Sequence, residues 1–531
     1  MKNFKRFGVM IDCSRNAVMK PGQIKKFIDD ISAMGYNMLE LYLEDTFRIE
    51  SEPYFGYLRG GYSKETLQEL DAYARGKNVE LVPAIQTLAH FTNLVKLPHY
   101  ADIVDVGDIL MIGDEKTYAL IDKMFATLRE AFSSNLVNIG MDEAHMAGLG
   151  QYLDKNGYRD RYDLILYHME RVAEIAEKYG FNAHAWSDML FKLGNNGKYY
   201  DKGVKLSPLV IARLPGNVSP VYWDYYHTEI DDYDAMMSAH KAFGRESWFA
   251  GGAWCWGGFA PFNGYTMRSM KAALTAAKRN RVENVLITMW GDNGKECSFF
   301  ALLPSLYAVS RYADGVEDEE EITQGFEQLF GIPFEAFTSL DLPNLLPVKH
   351  EDLETPCKAL LYCDPFLGIL DDLVGQEGRI PYGEYAKAVD EAGKKAGEYR
   401  YLFDFISSLC SVLELKYDFG VRVRKRYASG ERAALMPLVG ELDEIVVRLD
   451  RFYGQFKRLW FIENEPFGFE VHEARIGGLR LRLSSCRDRL KDYVEGKTER
   501  IEELECEILP YGEKPTLYFN VYRNLVSVSE L

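Results

Sequence analysis

Residues 138–150 read NIGMDEAHMAGLG and place Asp142 directly beside Glu143. Two adjacent carboxylates that are partly out of water repel each other, and one of them is thereby kept protonated near neutral pH. A protonated carboxyl beside an ionised one suits general-acid chemistry. Neighbours within a strand point to opposite faces, so both can serve one substrate only where a strand is ending. The small residues that follow, Ala144, Ala147, Gly148 and Gly150, read as the loop in which it ends.

The elements that must position this pair follow from the hydrophobic pattern. From residue 6 to about 312, eight apolar runs alternate with amphipathic stretches: RFGVMIDCSR, NMLELYLED, VELVPAIQT, LVNIGMDEA, NAHAWSDML, SPVYWDYY, WFAGGAWCW and NVLITMWGD. Between them lie helix-like segments such as PGQIKKFIDDISAMG, which opens with Pro and closes with Gly as helices do. Eight strands, each followed by a helix or long loop, predict an α/β fold, the (β/α)8 TIM barrel, over residues 1–315. A doubly wound sheet is the rival, but no Gly-rich dinucleotide turn follows the first strand.

In such a barrel the chemistry sits at the C-terminal strand ends. These ends carry, in chain order, Asp12, Ser14 and Arg15; Glu44 and Asp45; Gln86 and His90; Asp142, Glu143 and His145; Trp186 and Asp188; Tyr222 and Asp224; Trp254 and Trp256; Trp290 and Asp292. The set reads as a pocket with an acidic rim and indole walls. Each residue also has a plainer reading. Arg15 could only neutralise Asp12, and Trp254 and Trp256 share a face by period two, so either could be barrel packing.

Acid chemistry comes in several forms. Common retaining glycosidases use two carboxylates about 5 Å apart, and their barrels usually supply the nucleophile from strand seven. No acid occurs here between Trp248 and Phe262. A metal-dependent barrel hydrolase wants His-x-His on strand one; MIDCSRN has none, and the nine histidines are scattered. It stays as an alternative, as does a catalytically silent sugar-binding barrel, which needs the tryptophans but not the acid pair. No metal or cofactor is expected. The nucleophile could be supplied by the substrate.

Composition narrows the partners. The chain has 531 residues, with 80 Asp and Glu against 62 Lys and Arg, a net charge of −18. That balance speaks against nucleic acid and anionic membrane, both of which need a basic surface. An aromatic content of 13% suits a neutral ligand with apolar faces, such as a sugar. The start MKNFKRFGVMIDCSRN makes a poor signal peptide, and no apolar run reaches membrane-spanning length. Eight scattered cysteines read as reduced thiols of a cytoplasmic protein.

The hexapeptide Asn138-Ile139-Gly140-Met141-Asp142-Glu143 resembles the strand-four signature of glycoside hydrolase family 20, the β-N-acetylhexosaminidases, departing from its usual His-x-Gly-Gly/Ala-Asp-Glu at Asn138 and Met141. Further likenesses follow in order: Arg15 after strand one, VPAIQTLAH on strand three, Tyr222-Trp223-Asp224 on strand six, GGAWCWGGF on strand seven, and Trp290-Gly291-Asp292, where the family has Trp-x-Glu. The resemblance spans roughly residues 6 to 312 and is similar to the short, intracellular-type branch without the N-terminal α/β domain. It implies a substrate-assisted mechanism. The sugar's 2-acetamido oxygen attacks its own anomeric carbon, and Glu143 acts as acid and then base. Asp142 stabilises the acetamide N–H, and Tyr222 donates to the acetamide oxygen. Trp186, Trp254 and Trp290 wall that group in. Arg15 and Asp292 bind ring hydroxyls, and Asp224 supports Tyr222 or the C6 side.

Beyond the acidic run of RYADGVEDEEEITQGF, read as a solvated helix start or linker, residues 316–531 read as a helical C-terminal domain. It contains stretches such as YAKAVDEAGKKAGEYRYLFDFISSLCSVLELKYDF and LVGELDEIVVRLDRFYGQFKRLWFIEN, and ends in a strand-like tail, KPTLYFNVYRNLVSVSEL. The exposed-looking WFIENEPFGFEVHEARIGG is read as a homodimer contact, or else as a helix end with a loop.

Overall fold

The computed structural model describes residues 4–192, 195–246, 248–347, 355–374, 379–511 and 521–529. The barrel strands are β1 Arg6–Asp12, β2 Met38–Tyr42, β3 Glu80–Ala84, β4 Leu136–Asn138, β5 Asn182–Trp186, β6 Val218–Trp223, β7 Trp248–Gly252 and β8 Asn284–Met289. They close in the order β1-β8-β7-β6-β5-β4-β3-β2, every pairing parallel, so the doubly wound alternative is excluded. β1 pairs on both sides, Arg6–Ile11 with Asn284–Met289 and Gly8–Asp12 with Met38–Tyr42. Strands covered on both faces are apolar throughout rather than alternating. All five residues of β2 and all six of β8 are accordingly buried.

The surrounding helices form for local reasons. Pro21 opens Pro21–Met34, where its missing N–H would be unpaired anyway, and Gly35 closes it at φ 90°, a conformation side chains avoid. Ile24, Phe27, Ile28, Ile31 and Met34 share its buried face, each worth about 1.5–3 kcal/mol by burial. A charge at Ile28 would break that face. Inside the barrel a polar layer crosses the axis: Glu40 lies 2.7 Å from His184 and accepts from Asn138 at 3.3 Å, and the His184 ring stacks on Trp248 at 4.5 Å.

The chain divides into two compact units. The first comprises residues 1–253, 265–289 and 305–318, and the second 254–264, 290–304 and 319–531. Against the expected division into 1–315 and 316–531, the first unit runs on to 318, and the loops that follow β7 and β8 group with the helical region. Phe259, from the first of these loops, enters that region's aromatic core beside Phe405, Phe452 and Phe456, with ring centroids 5.3–6.2 Å apart.

The acidic run starts the helix Glu319–Phe330, with Glu319, Glu320 and Glu321 in its first turn, where the helix dipole favours negative charge. The stretch from Tyr385 to Phe419 is broken into Tyr382–Gly393, Arg400–Lys416 and the start of Phe419–Ala428, because Gly397 takes φ 54° between the first two. Of the strand-like tail, residues 514–520 lie outside the described residues, and Arg523–Val526 is a helical turn.

Candidate active site

β4 ends after three residues, and Gly140, Met141 and Glu143 then take φ of 70°, 73° and 53°. These left-handed steps break strand alternation, which leaves Asp142 buried and the Glu143 side chain 49% exposed. Residues outside the loop hold it, Gln86 and Asp105 among them. Gln86, beyond β3, accepts from the Met141 N–H at 3.2 Å and donates to Asp142 at 2.8 Å and to the Tyr42 hydroxyl at 3.0 Å. A Cβ on Gly140 would lie 2.1 Å from Gln86 Oε1, so only glycine lets the amide close on the loop. Asp105 accepts from the N–H groups of Gly148, Gly150 and Tyr152 at 2.6, 3.2 and 2.9 Å.

The two carboxylates sit in opposite fields. Nε2 of His90 lies 3.2 Å from Asp142 and 3.8 Å from Glu143. Burial alone would raise Asp142, but the His90 charge and the His90 and Gln86 contacts outweigh it and hold it below the ordinary Asp range. In return Asp142 overcomes the burial of His90 and lifts the imidazole to about 9. Glu143 is raised, by burial first and then by the Asp142 charge. One carboxylate is biased toward the anion and its neighbour toward the acid.

Arg15 does neutralise Asp12, at 3.3 Å, and also faces Glu44 at 3.7 Å, with its guanidinium 5.2 Å from the Tyr42 ring centroid. Burial pushes Glu44 up to about 7, against the Arg15 charge. Trp186, the last residue of β5, is buried and donates its backbone N–H to Gly140 at 3.1 Å. Asp188 follows, fully buried. Its Oδ2 accepts from the Glu143 N–H at 3.2 Å and from Lys192 at 3.1 Å. At the end of β6, Tyr222 donates to Asp224 at 2.6 Å, and His227 reaches the same carboxylate oxygen at 2.8 Å.

The sequence reading did not single out Asp105, Lys192 or His227. Spacing could have found two of them: Lys192 is four residues from Asp188 on one helical turn, and His227 is three from Asp224. Asp105 lies more than 40 residues from the N–H groups it captures, and no local pattern marks it.

Trp254, Trp256, Trp290 and Asp292 belong to the second unit. Trp254 and Trp256 stack at 4.2 Å, the Cys255 thiol donates to the Trp290 carbonyl at 3.3 Å, and Asp292 takes φ 36°. In the stretch read as a dimer contact, Trp460, Glu463 and His472 are buried within that unit, and Glu463 accepts from Ser298 at 2.5 Å and Tyr401 at 2.9 Å. The stretch is mixed: these three are buried, whereas Phe461 and Phe467 are 40% and 39% exposed. Among the described residues no group of three or more His, Cys, Asp or Glu is placed to hold a metal ion, and no helix is long and apolar enough to cross a membrane.

Residues 4–207 match the family description "Glycosyl hydrolase family 20, catalytic domain", and residues 335–519 match "Glycoside Hydrolase 20C C-terminal domain". The chain belongs to glycoside hydrolase family 20. It is similar to Hexosaminidase D of Bos taurus, 27% identical over 249 residues, which are 44% of this chain and 65% of that protein. To Hexosaminidase D of Homo sapiens it is 26% identical over 241 residues, 43% of this chain and 46% of that protein. The matches thus span less than two thirds of either relative. Among solved structures, the β-N-acetylhexosaminidase of Bacteroides fragilis NCTC 9343 is similar with a TM-score of 0.47 and 20% identity, over 62% of this chain and 71% of that one.

Proposed function

We propose that this family 20 member is an exo-β-N-acetylhexosaminidase that removes terminal non-reducing GlcNAc or GalNAc from β-glycosides with retention of configuration. The observation that carries the reading is the adjacent pair in opposite fields, Asp142 held below its ordinary range by His90 and Gln86 while Glu143 is raised and open. In the proposed reaction the 2-acetamido oxygen attacks the anomeric carbon as Glu143 gives its proton to the leaving oxygen, producing an oxazolinium ion. Glu143, now a carboxylate, takes a proton from the water that opens it. Asp142 accepts the acetamide N–H and offsets the positive charge that grows on that nitrogen. Well-oriented intramolecular attack reaches effective molarities of about 10⁵–10⁸ M, and the acid adds roughly 10²–10⁴-fold.

Tyr222 sharpens the reading. Its one hydroxyl hydrogen is given to Asp224, so donation to the acetamide oxygen requires that hydrogen to turn away. Asp224 can release it, because it also accepts from the backbone N–H groups of Tyr226 at 3.1 Å and His227 at 3.3 Å and faces the His227 ring. A cytoplasmic location fits eight free cysteines, seven of them buried as thiols.

A bicyclic thiazoline built on N-acetylglucosamine mimics the folded acetamide and tests the mechanism. Transition-state mimics bind far more tightly than substrate. The expected result is tight competitive inhibition that Asp142→Asn and Tyr222→Phe weaken more than they weaken binding of the free sugar. Thiazoline binding no tighter than that of N-acetylglucosamine would point to a protein carboxylate as nucleophile instead.

A further inference from the structure

Three loops bring charge to Glu143. Its own loop carries Asp142 and His145, the loop after β3 carries His90, and the loop after β5 carries Asp188 and Lys192. Asp142 and His90 are occupied with each other. Asp188 is different: it is fully buried, and one of its oxygens is shared between the Glu143 backbone N–H at 3.2 Å and the Lys192 ammonium at 3.1 Å. Its other oxygen, Oδ1, is buried with no hydrogen-bond partner among the described residues.

A carboxylate serving only to start the helix Asp188–Lys192 would not need that arrangement. Leaving one oxygen of a buried carboxylate bare is unfavourable, and such unfavourable features persist where function needs them. The N–H that Asp188 holds belongs to a non-glycine residue at φ 53°, a backbone conformation that needs outside support. A lysine, as a single point charge, neutralises one oxygen and cannot span both as an arginine fork would. The Lys192 ammonium is itself placed 5.7 Å from the Trp223 ring centroid.

We propose that Asp188 and Lys192 are a positioning pair for Glu143: the Asp188 carboxylate fixes the Glu143 backbone in its left-handed turn, and Lys192 sets how much of that negative charge the Glu143 carboxyl feels. The inference rests on the reading of Glu143 as the acid. The charge pattern agrees: burial and Asp142 are the leading influences that raise Glu143, Asp188 adds to them, and His90 and Lys192 oppose them. His145 is lowered by burial, which favours its neutral form, and it is not among the charges that act on Glu143.

The test is the alkaline limb of the kcat/KM profile on an aryl N-acetyl-β-glucosaminide, where the acid loses its proton. Asp188→Asn keeps an oxygen to accept the Glu143 N–H but removes the charge. The limb should move to lower pH by about 1 unit, because a like charge has been taken from beside the acid. Asp188→Asn with Lys192→Met removes both charges and should bring the limb back to within about 0.3 unit of wild type, while Lys192→Met alone should not lower it. A merely structural pair would make the double variant at least as impaired as the single one, with no return of the limb. An unmoved limb in Asp188→Asn, a double variant displaced as far as the single, or a lowered limb in Lys192→Met would each overturn the proposal. Glu143→Gln, compared on the aryl and dinitrophenyl glycosides, separates the two claims. An equal loss of kcat/KM on both shows that Glu143 is not the acid, because dinitrophenolate leaves without protonation, whereas a loss that shrinks on the dinitrophenyl glycoside, with a limb that ignores Asp188, defeats only the pair.

Discussion

The loop after β4 and the loop after β8 both hold non-glycine residues in left-handed conformations, Met141 and Glu143 in one, Asp292 and Lys295 in the other. They are restrained by opposite chemistry. Around β4 it is the backbone N–H groups that are captured, mainly by carboxylates: Asp105 takes those of Gly148, Gly150 and Tyr152, Asp188 that of Glu143, and the Gln86 amide that of Met141. Around β8 it is the carbonyls. The Asn293 carbonyl accepts from Lys358 at 3.1 Å and Arg475 at 2.8 Å, and that of Gly294 meets His472 at 2.7 Å. Glu296, buried with Lys358, accepts from it at 2.8 Å and from Arg475 at 3.3 Å.

The difference teaches what each loop is built to do. Around β4, burial first and then the Asp142 and Asp188 charges raise Glu143, whose side chain is half exposed to solvent. The β8 loop is sealed: Lys358 is fully buried, and its burial lowers it against the pull of Glu296. A desolvated ion network of this kind has little freedom to change its protonation, and removing one member strands the others. The first loop is therefore tuned and the second is locked.

Breaking the locked loop should have the largest effect. Lys358→Met leaves Glu296 facing Arg475 alone and should destabilise the protein by about 3–5 kcal/mol, read by urea unfolding, while the pH limbs of the surviving activity stay in place. A loss below about 1 kcal/mol would mean the network behaves like a surface pair. In the tuned loop the balance should reverse. Gly140→Ala drives a Cβ into Gln86 at a positive φ and should cost about 1–3 kcal/mol. Its clearer signature is in pH. Losing the Gln86 hydrogen bond disfavours ionised Asp142, so the carboxyl pKa rises and the acid limb of kcat/KM moves to higher pH. An acid limb unmoved in a folded Gly140→Ala protein would show that Gln86 does not tune Asp142.

Much of this was legible in the sequence for a physical reason. The barrel strands are largely buried on both faces, so they read as mainly apolar runs, and their C-terminal ends place Asp12, Asp142 and Asp224. The Pro21 start and Gly35 stop of the first helix are equally local. What escaped depends on partners far along the chain. Arg475 and Asn293 are 182 residues apart, so the grouping of the β7 and β8 loops with the helical region leaves no local trace. Glu463, within WFIENEPFGFEVHEARIGG, looks like a surface acid until Ser298 and Tyr401 are seen to pair it in the interior. The break at Gly397 was open to a reading of glycine positions, but the amphipathic pattern on either side masked it.

The central claim is that the substrate's own acetamide group is the nucleophile. It is tested most directly by comparing kcat/KM for an aryl N-acetyl-β-glucosaminide with that for the matching β-glucoside, which differs only in carrying a 2-hydroxyl. The account predicts ready turnover of the first and almost none of the second, because without the acetamide nothing attacks the anomeric carbon and Asp142 has no cation to stabilise. Comparable rates on the two glycosides would contradict it and assign the nucleophile to the protein.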